Sequence, residues 1–367
     1  MNSSRALIIL LFVTIIAVAG AVLVLVREQA SISTDMETAR LFPDLAAQLG
    51  YVAELRIEDA RDSITIKRLG DGWVVPSKFD YPADQGRVRS AILAATRIDV
   101  LEAKTADPAL YARLGVRSPD QDGARAVRLS LLDDAGDRLA DVLIGDRPRG
   151  IGVYGSGGSH GAARAYVRQP DQAQSWLAAG VPELTTDSAN WLDDQLLSLV
   201  EERVKRVTVR HADGSLVRVY RESADDGNGG GNDNFSVADL PKDRRIRAAD
   251  GPASLAMGLA FLSFDDVQPA DAVDWSDSSE VVFTAFDGLE ITLRLKDVWA
   301  HFSAAYDPSI AEEGAGGAVL PPSPPDGAAE ARRINERYGN WAYKLPTYKA
   351  DDLVPTLDDL TEPVAED

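Results

Sequence analysis

A chain of 367 residues with 58 acidic and 38 basic side chains carries a formal charge of −20, which argues against nucleic acid as a partner and against broad adhesion to anionic lipid. The acidity reads as solubility. With no cysteine, the chain has no disulfide, no thiolate catalysis and no cysteine metal site, a composition suited to an oxidising compartment.

The first element is Ala6 to Val26, ALIILLFVTIIAVAGAVLVLV, 21 uncharged residues between Arg5 and Arg27. As a helix it rises about 31 Å, enough to cross a bilayer's hydrocarbon core. The apolar run continues past the small residues Ala17-Val18-Ala19, where a cleaved signal turns polar, so it reads as an uncleaved anchor. The short amino-terminal tail favours N-in, with the bulk of the chain exported. Residues 1–26 are thus the predicted tip and membrane anchor, and residues 27–40 a polar tether.

Leu41-Phe42-Pro43 opens a globular region, which reads as an internal duplication of residues 41–185 in residues 186–357. Strands are predicted around Leu55 and Ile57, Ile64 and Ile66, and Trp73-Val74-Val75. Their partners in the second copy are Val207 and Val209, Val217 and Val219, and Phe235-Ser236-Val237. A helix follows in each copy, Arg87 to Arg97 and about Pro252 to Ser263. A hairpin comes next, Val127 to Leu131 with Leu139 to Ile144, against Val281 to Ala285 with Ile291 to Leu295 around Asp287-Gly288. The last match sets Tyr166 to Pro170 with a helical Trp176-Leu177 against Ala342 to Pro346 with Asp352-Leu353. The order strand, strand, strand, helix, hairpin, strand, helix predicts an α+β fold. A transmembrane helix is followed by two repeated modules of mostly antiparallel sheet with helices packed on one face.

Between the modules, Trp191 to Leu197 is predicted as a connecting helix capped by Asp187 or Ser188. The second module carries loop insertions at 225–234 and 314–327, the latter proline-rich and polyproline-like, and residues 358–367 form an acidic tail expected to be disordered.

Motifs that suggest chemistry fail on spacing. Gly150 to Gly161, GIGVYGSGGSHG, lacks the Gly-Lys-Ser/Thr ending of a phosphate loop, and His160 stands where a dinucleotide fingerprint needs its third glycine. Asp225 to Asn234 is rich in calcium-type oxygens, yet counting from Asp226 the twelfth residue is Val237 and not a bidentate Glu. His160, His211 and His301 belong to no zinc pattern. The doublets Asp193-Asp194, Asp265-Asp266, Asp351-Asp352 and Asp358-Asp359 read as caps and solvated faces, since neighbours on a strand point to opposite sides. Trp73, Trp176, Trp191, Trp275, Trp299 and Trp341 read as core. No catalytic, cofactor-binding or metal-binding residue is predicted, and no cofactor.

Several short motifs in fixed order carry a family resemblance: Leu41-Phe42-Pro43, Gly72-Trp73-Val74-Val75, Tyr81-Pro82-Ala83-Asp84, Tyr111-Ala112-Arg113-Leu114-Gly115-Val116 with Pro119, Leu143-Ile144-Gly145-Asp146 and Ala165-Tyr166-Val167-Arg168. Together with the amino-terminal anchor, they resemble a bacterial family of membrane-anchored proteins of unknown function. Members of that family are often encoded beside gliding-motility-type ABC transporter components. The resemblance implies an envelope protein, an accessory to a transporter, and brings no catalytic residues. The leading expectation is a single-pass inner-membrane protein, held through Ala6 to Val26, whose periplasmic duplicated region binds an envelope protein such as an ABC transporter component without catalysis. The alternatives are an envelope hydrolase acting on a polysaccharide through carboxylates from different modules, and a mechanical scaffold.

Overall fold

The computed structural model describes residues 39–148, 163–222, 235–248, 251–314 and 327–364. They form two compact units. One takes the described residues up to Ile64 and Gly86–Thr186; the other takes Thr65–Gln85 and the described residues from Asp187 onward.

The strands and main helices run in the order β1 (Glu54–Glu58), β2 (Ser63–Leu69), β3 (Gly72–Val75), β4 (Tyr81–Pro82), α1 (Gln85–Ala95), β5 (Asp99–Ala103), β6 (Val127–Leu132), β7 (Arg138–Ile144), β8 (Arg164–Arg168) and β9 (Ser175–Ala179). They continue with β10 (Val204–Arg210), β11 (Leu216–Tyr220), β12 (Ser236–Val237), β13 (Arg244–Ile246), α2 (Gly251–Ala256), β14 (Asp266–Pro269), β15 (Ser279–Ala285), β16 (Leu289–Lys296) and β17 (Trp299–Tyr306). Last come α3 (Gly327–Tyr338), β18 (Trp341–Lys344), α4 (Thr347–Leu353) and β19 (Thr361–Pro363).

Three mostly antiparallel sheets result, ordered β4-β3-β2-β1-β6-β7-β8-β9-β5, β12-β11-β10-β15-β16-β17-β18-β14 and β13-β19. Leaving β4 aside, the two large sheets share one strand order, position for position: β3 stands where β12 stands, β6 where β15 stands, and β5 and β14 end their sheets.

The core follows from period-two alternation, which puts every second side chain on one face. In the sheet of β10 to β18, the cross-strand row Val217–Val209–Val281–Leu293–Phe302 lies beside Val219–Val207–Phe283–Ile291. Tyr343 pairs with Ala300 on one side and Val267 on the other. All of these are buried, and each large one is worth about 1.5–3 kcal/mol over exposure. Leu255 of α2, Ile334 and Tyr338 of α3 and Leu353 of α4 are buried with them. A Cβ at Gly258 would lie 2.7 Å from Leu353 Cδ2 and 3.4 Å from Phe283 Cζ, so Leu353 closes over the sheet because residue 258 has no side chain. In the other unit the rows Leu55–Leu131–Ala140 and Ile57–Leu129–Val142 are built the same way, and Val88, Ile92 and Ala95 are the buried stripe of α1.

Several expectations are corrected. The fold class loses its transmembrane helix: among the described residues no helix is long and apolar enough to cross a membrane. Ala6 to Val26 lies outside the described residues, as do the tether's residues 27–38, residues 149–162, the insertion at 225–234 and residues 315–326. What stands is mostly antiparallel sheet with helices. Trp176-Leu177 is not helical; it lies on β9, whose backbone is claimed by β8 on one side and β5 on the other. The match of the Tyr166 segment with the Tyr343 segment is therefore one strand out of step. Tyr166 is on β8, the counterpart of β17, and Tyr343 is on β18, the counterpart of β9.

The connecting helix at Trp191 to Leu197 is absent. Asp187 does cap, accepting from Ala189 N at 3.0 Å, but the turn is a 3-10 turn over Ser188–Trp191. The chain is then drawn out by an antiparallel bridge of Leu192 to Ala83. Nor is the tail without structure. Thr356 and Asp359 form a capping box on the turn Leu357–Leu360, and β19 pairs with β13. Arg244 Nε donates to Thr361 Oγ1 at 2.7 Å and Arg247 Nη2 to Asp358 O at 2.7 Å, which holds that turn down.

Candidate functional site

The second unit carries a groove built around α3. Ala331, Ile334 and Tyr338 recur at the spacing of one helical face and are buried, which seats α3 on β16 and β17. Asn335 fixes the seat, donating from Nδ2 to Ala304 O at 2.7 Å and accepting from Ala304 N at 2.8 Å. At the other end of the helix, Arg203 Nη2 meets Glu330 Oε2 at 2.9 Å while its Nε donates to Asp287 Oδ2 at 2.8 Å. Burial alone would lower the Arg203 pKa, but the hydrogen bond to Glu330 and the two carboxylate charges raise it above its ordinary value.

The groove has a volume of about 300 Å³ and is lined by Leu197, Ser198 and Leu199, by Leu289 and Ile291 of β16, and by Glu330, Arg333, Ile334, Arg337 and Tyr338 of α3. Its leucines, isoleucines and tyrosine are buried. Arg337 lies over the Tyr338 ring at 5.3 Å and pairs with Asp193 at 2.8 Å. Arg333 is exposed and makes no ion pair among the described residues. Residues 194–199 belong to no helix or strand, and Leu197, Ser198 and Leu199 make no backbone hydrogen bond among the described residues. An apolar floor beside guanidinium groups is equipped to bind. The carboxylates Asp287 and Glu330 are bridged by Arg203.

Tyr338 also joins the groove to an aromatic cluster. Tyr81 packs edge-on against Trp341 (5.1 Å), Phe264 (5.7 Å) and Tyr343 (6.1 Å), and Tyr343 packs against Phe302 (5.6 Å) and Tyr338 (6.1 Å). The Tyr343 hydroxyl is buried with no well-formed hydrogen bond. Burial pushes Tyr81 up to about 12 from the ordinary 10.0, and burial and then the neighbouring Tyr81 push Tyr343 further still. Both phenols thus bind their protons more tightly folded than unfolded. The contribution of Tyr81 is fully present below pH ~10 and is lost as pH rises from there through about 12, and that of Tyr343 is lost over the same rise and beyond it. Urea unfolding between pH 10 and 11.5 is expected to lose up to about 1.4 kcal/mol per pH unit for each phenol. The Tyr81→Phe/Tyr343→Phe variant is expected to flatten that slope; an unchanged slope would show that other groups carry it.

The residues singled out in the sequence do not converge. His160 and the glycine-rich stretch around it lie outside the described residues. His211 Nε2 sits 3.3 Å from Pro355 O, and His301 Nε2 sits 2.8 Å from Gly339 O beside the Trp275 ring. Asp193 pairs with Arg337 and Asp266 with Lys78 at 2.7 Å, while Asp194, Asp265, Asp351, Asp352 and Asp358 are exposed. Among the described residues, no three His, Cys, Asp or Glu side chains are grouped to hold a metal. Trp191 is buried, Trp275 donates to Ala270 O at 2.7 Å, and Trp73 lies under Arg68 at 5.2 Å. The spacing of Ala331, Ile334 and Tyr338 marks the apolar face of α3 in the sequence, whereas the groove itself is assembled from segments distant along the chain.

No curated protein and no solved structure matches the chain significantly. The family model described as Domain of unknown function (DUF4340) matches residues 73–274, more than half of the 367 residues, and the chain belongs to that family.

Proposed function

We propose that this is a non-catalytic binding protein of the bacterial envelope, an accessory of an ABC-type transport complex with its folded units on the periplasmic side, and that the groove of the second unit holds a segment of a partner protein. The groove itself carries this reading. It joins a buried apolar floor to exposed arginines on a helix that has no counterpart in the first sheet, where only residues 169–174 connect β8 to β9. Surfaces added to a repeated scaffold in this way are where binding specificity is built. The order of short motifs from Leu41 to Arg168 supports the transporter as the partner.

The test is purification of the tagged full chain at native expression in mild detergent. A transporter component is expected to come with it, and Ser198→Trp, which fills the groove from an exposed position, is expected to lower that recovery at least about tenfold. Recovery of the protein alone, or equal recovery with Ser198→Trp, would count against the reading.

A further inference from the structure

We infer that the first unit carries a binding site for a small acidic sugar, of the uronic-acid kind, centred on Arg138. The site lies wholly within that unit and does not rest on the groove reading above.

A pocket of about 460 Å³ is lined by residues of β6, β7 and the 169–171 loop. That volume falls within the range of about 300–1,000 Å³ typical of small-ligand sites. Two features present one open cation there. The first is a β-bulge: Leu131 pairs with Ala140 but Leu132 with Arg138, so Leu139 is an extra residue in β7. Without it, Arg138 and Asp141, three apart, would point to opposite faces. With it, both stand on the face of Arg128 and Ser130. The second is the saturation of Asp141, which is 15% exposed. It accepts from Arg128 Nε at 2.9 Å and Nη2 at 2.7 Å and from Ser130 Oγ at 3.1 Å, and Arg138 Nε lies 3.1 Å from it. Arg128 is occupied between Asp141 and Glu58, 3.7 Å away. Arg138 is held by one edge alone; its Nη1 and Nη2 make no hydrogen bond or ion pair among the described residues. A guanidinium fixed at Nε with its end open is set for two-point contact with a carboxylate.

The rest of the lining selects the class of acid. Asp171 is exposed and makes no ion pair among the described residues, and the Gln169 side chain makes no hydrogen bond there. They offer acceptors, and Gln169 also donors. Arg168 holds their loop in place through the carbonyls of Gln169, Pro170 and Gln172. Leu139 and Pro170, both half-buried, add apolar surface. The Asp171 charge disfavours a bare inorganic anion and calls for a ligand that brings hydrogen-bond donors beside its acid group. A hydroxylated ring bearing a carboxylate satisfies each part: its acid faces Arg138, its hydroxyls face Asp171 and Gln169, and its C–H face meets Leu139 and Pro170.

Calorimetric titration of the full chain with glucuronate, glucose, glutamate and inorganic phosphate tests this. Glucuronate is expected to bind at least about tenfold more tightly than glucose, which lacks the acid, and more tightly than glutamate, whose donor is an ammonium. Arg138→Gln, at a side chain 55% exposed, leaves Asp141 its bonds to Arg128 and Ser130. It is expected to weaken glucuronate at least about tenfold and to leave the melting temperature unchanged. Asp171→Ala, also exposed, is expected to weaken glucuronate about fivefold through the lost hydroxyl contact. The assignment is overturned if glucuronate does not bind, if glucose or glutamate binds as tightly, or if Arg138→Gln binds like the parent. Inorganic phosphate bound as tightly as glucuronate would mean an adventitious ion only, and would overturn it too. The groove reading is decided separately, by Ser198→Trp.

Discussion

Arg203→Met is expected to destabilise the second unit by about 3–5 kcal/mol, because it leaves two carboxylates in a confined site without their cation. The Arg203, Asp287 and Glu330 side chains are only 12%, 11% and 18% exposed. Asp287 stands in the turn between β15 and β16, and Glu330 is in the first turn of α3. One guanidinium thus fastens a hairpin to the helix that lines the groove, bonding Glu330 through two nitrogens at 2.9 and 3.2 Å. Urea unfolding measures the loss, and hydrogen exchange of the α3 amides locates it. The triple variant Arg203→Met/Asp287→Asn/Glu330→Gln removes the charges together and is expected to lose much less than the single one. Equal losses would mean that Arg203 acts through packing of its stem and not through charge.

The second large effect is expected at Arg168, where substitution by Met should cost the first unit about 3 kcal/mol. Arg168 is 7% exposed. Its guanidinium lies 4.4 Å from the centre of the Tyr111 ring. It donates to the carbonyls of Val116 (3.3 Å), Gln169 (3.3 Å), Pro170 (3.1 Å) and Gln172 (3.0 Å). These carbonyls belong to loops without strand partners, so the fork replaces the hydrogen bonds that a sheet would have supplied. A lysine is one compact charge and does not span those directions, so Arg168→Lys is expected to recover less than half of the loss. Full recovery by Lys would show that charge alone suffices. Exchange of the β8 and β9 amides is the localising readout.

Legibility in the sequence followed the range of the interactions. The hairpin of β15 and β16 was readable because Val281, Phe283 and Ile291 alternate about Asp287-Gly288, and Gly288 takes the left-handed φ of +85° that such a turn needs. The next strand, β17, was hidden. It follows β16 after only Asp297-Val298, with Asp297 in the left-handed region at φ 52° where a glycine would have announced a turn. Alanines in Trp299–Tyr306 further weaken its apolar alternation. The sequence predicts a helix at Trp176-Leu177, whereas a tertiary constraint, two neighbouring strands, decides its form. The groove draws on residues near 198, 290 and 334, so no motif could signal it. The histidines and aspartate doublets that stood out were local, and the structure uses them for turns, ion pairs and solvated faces.

The shared strand order has a practical bearing on where this chain can be cut. The residues matched by the family, 73–274, start at β3 and stop before β15. A fragment made to those limits would keep β10, β11, β12 and β14 but discard β15, β16, β17 and β18, the four strands that stand between β10 and β14. It would also strip β1 and β2 from beside β3 and β6. Such a piece would display raw strand edges and half of two cores, the condition in which sheets stick to one another. The stretch that marks kinship is therefore not a stretch that folds, and expression boundaries should respect both the nine-strand and the eight-strand ladder.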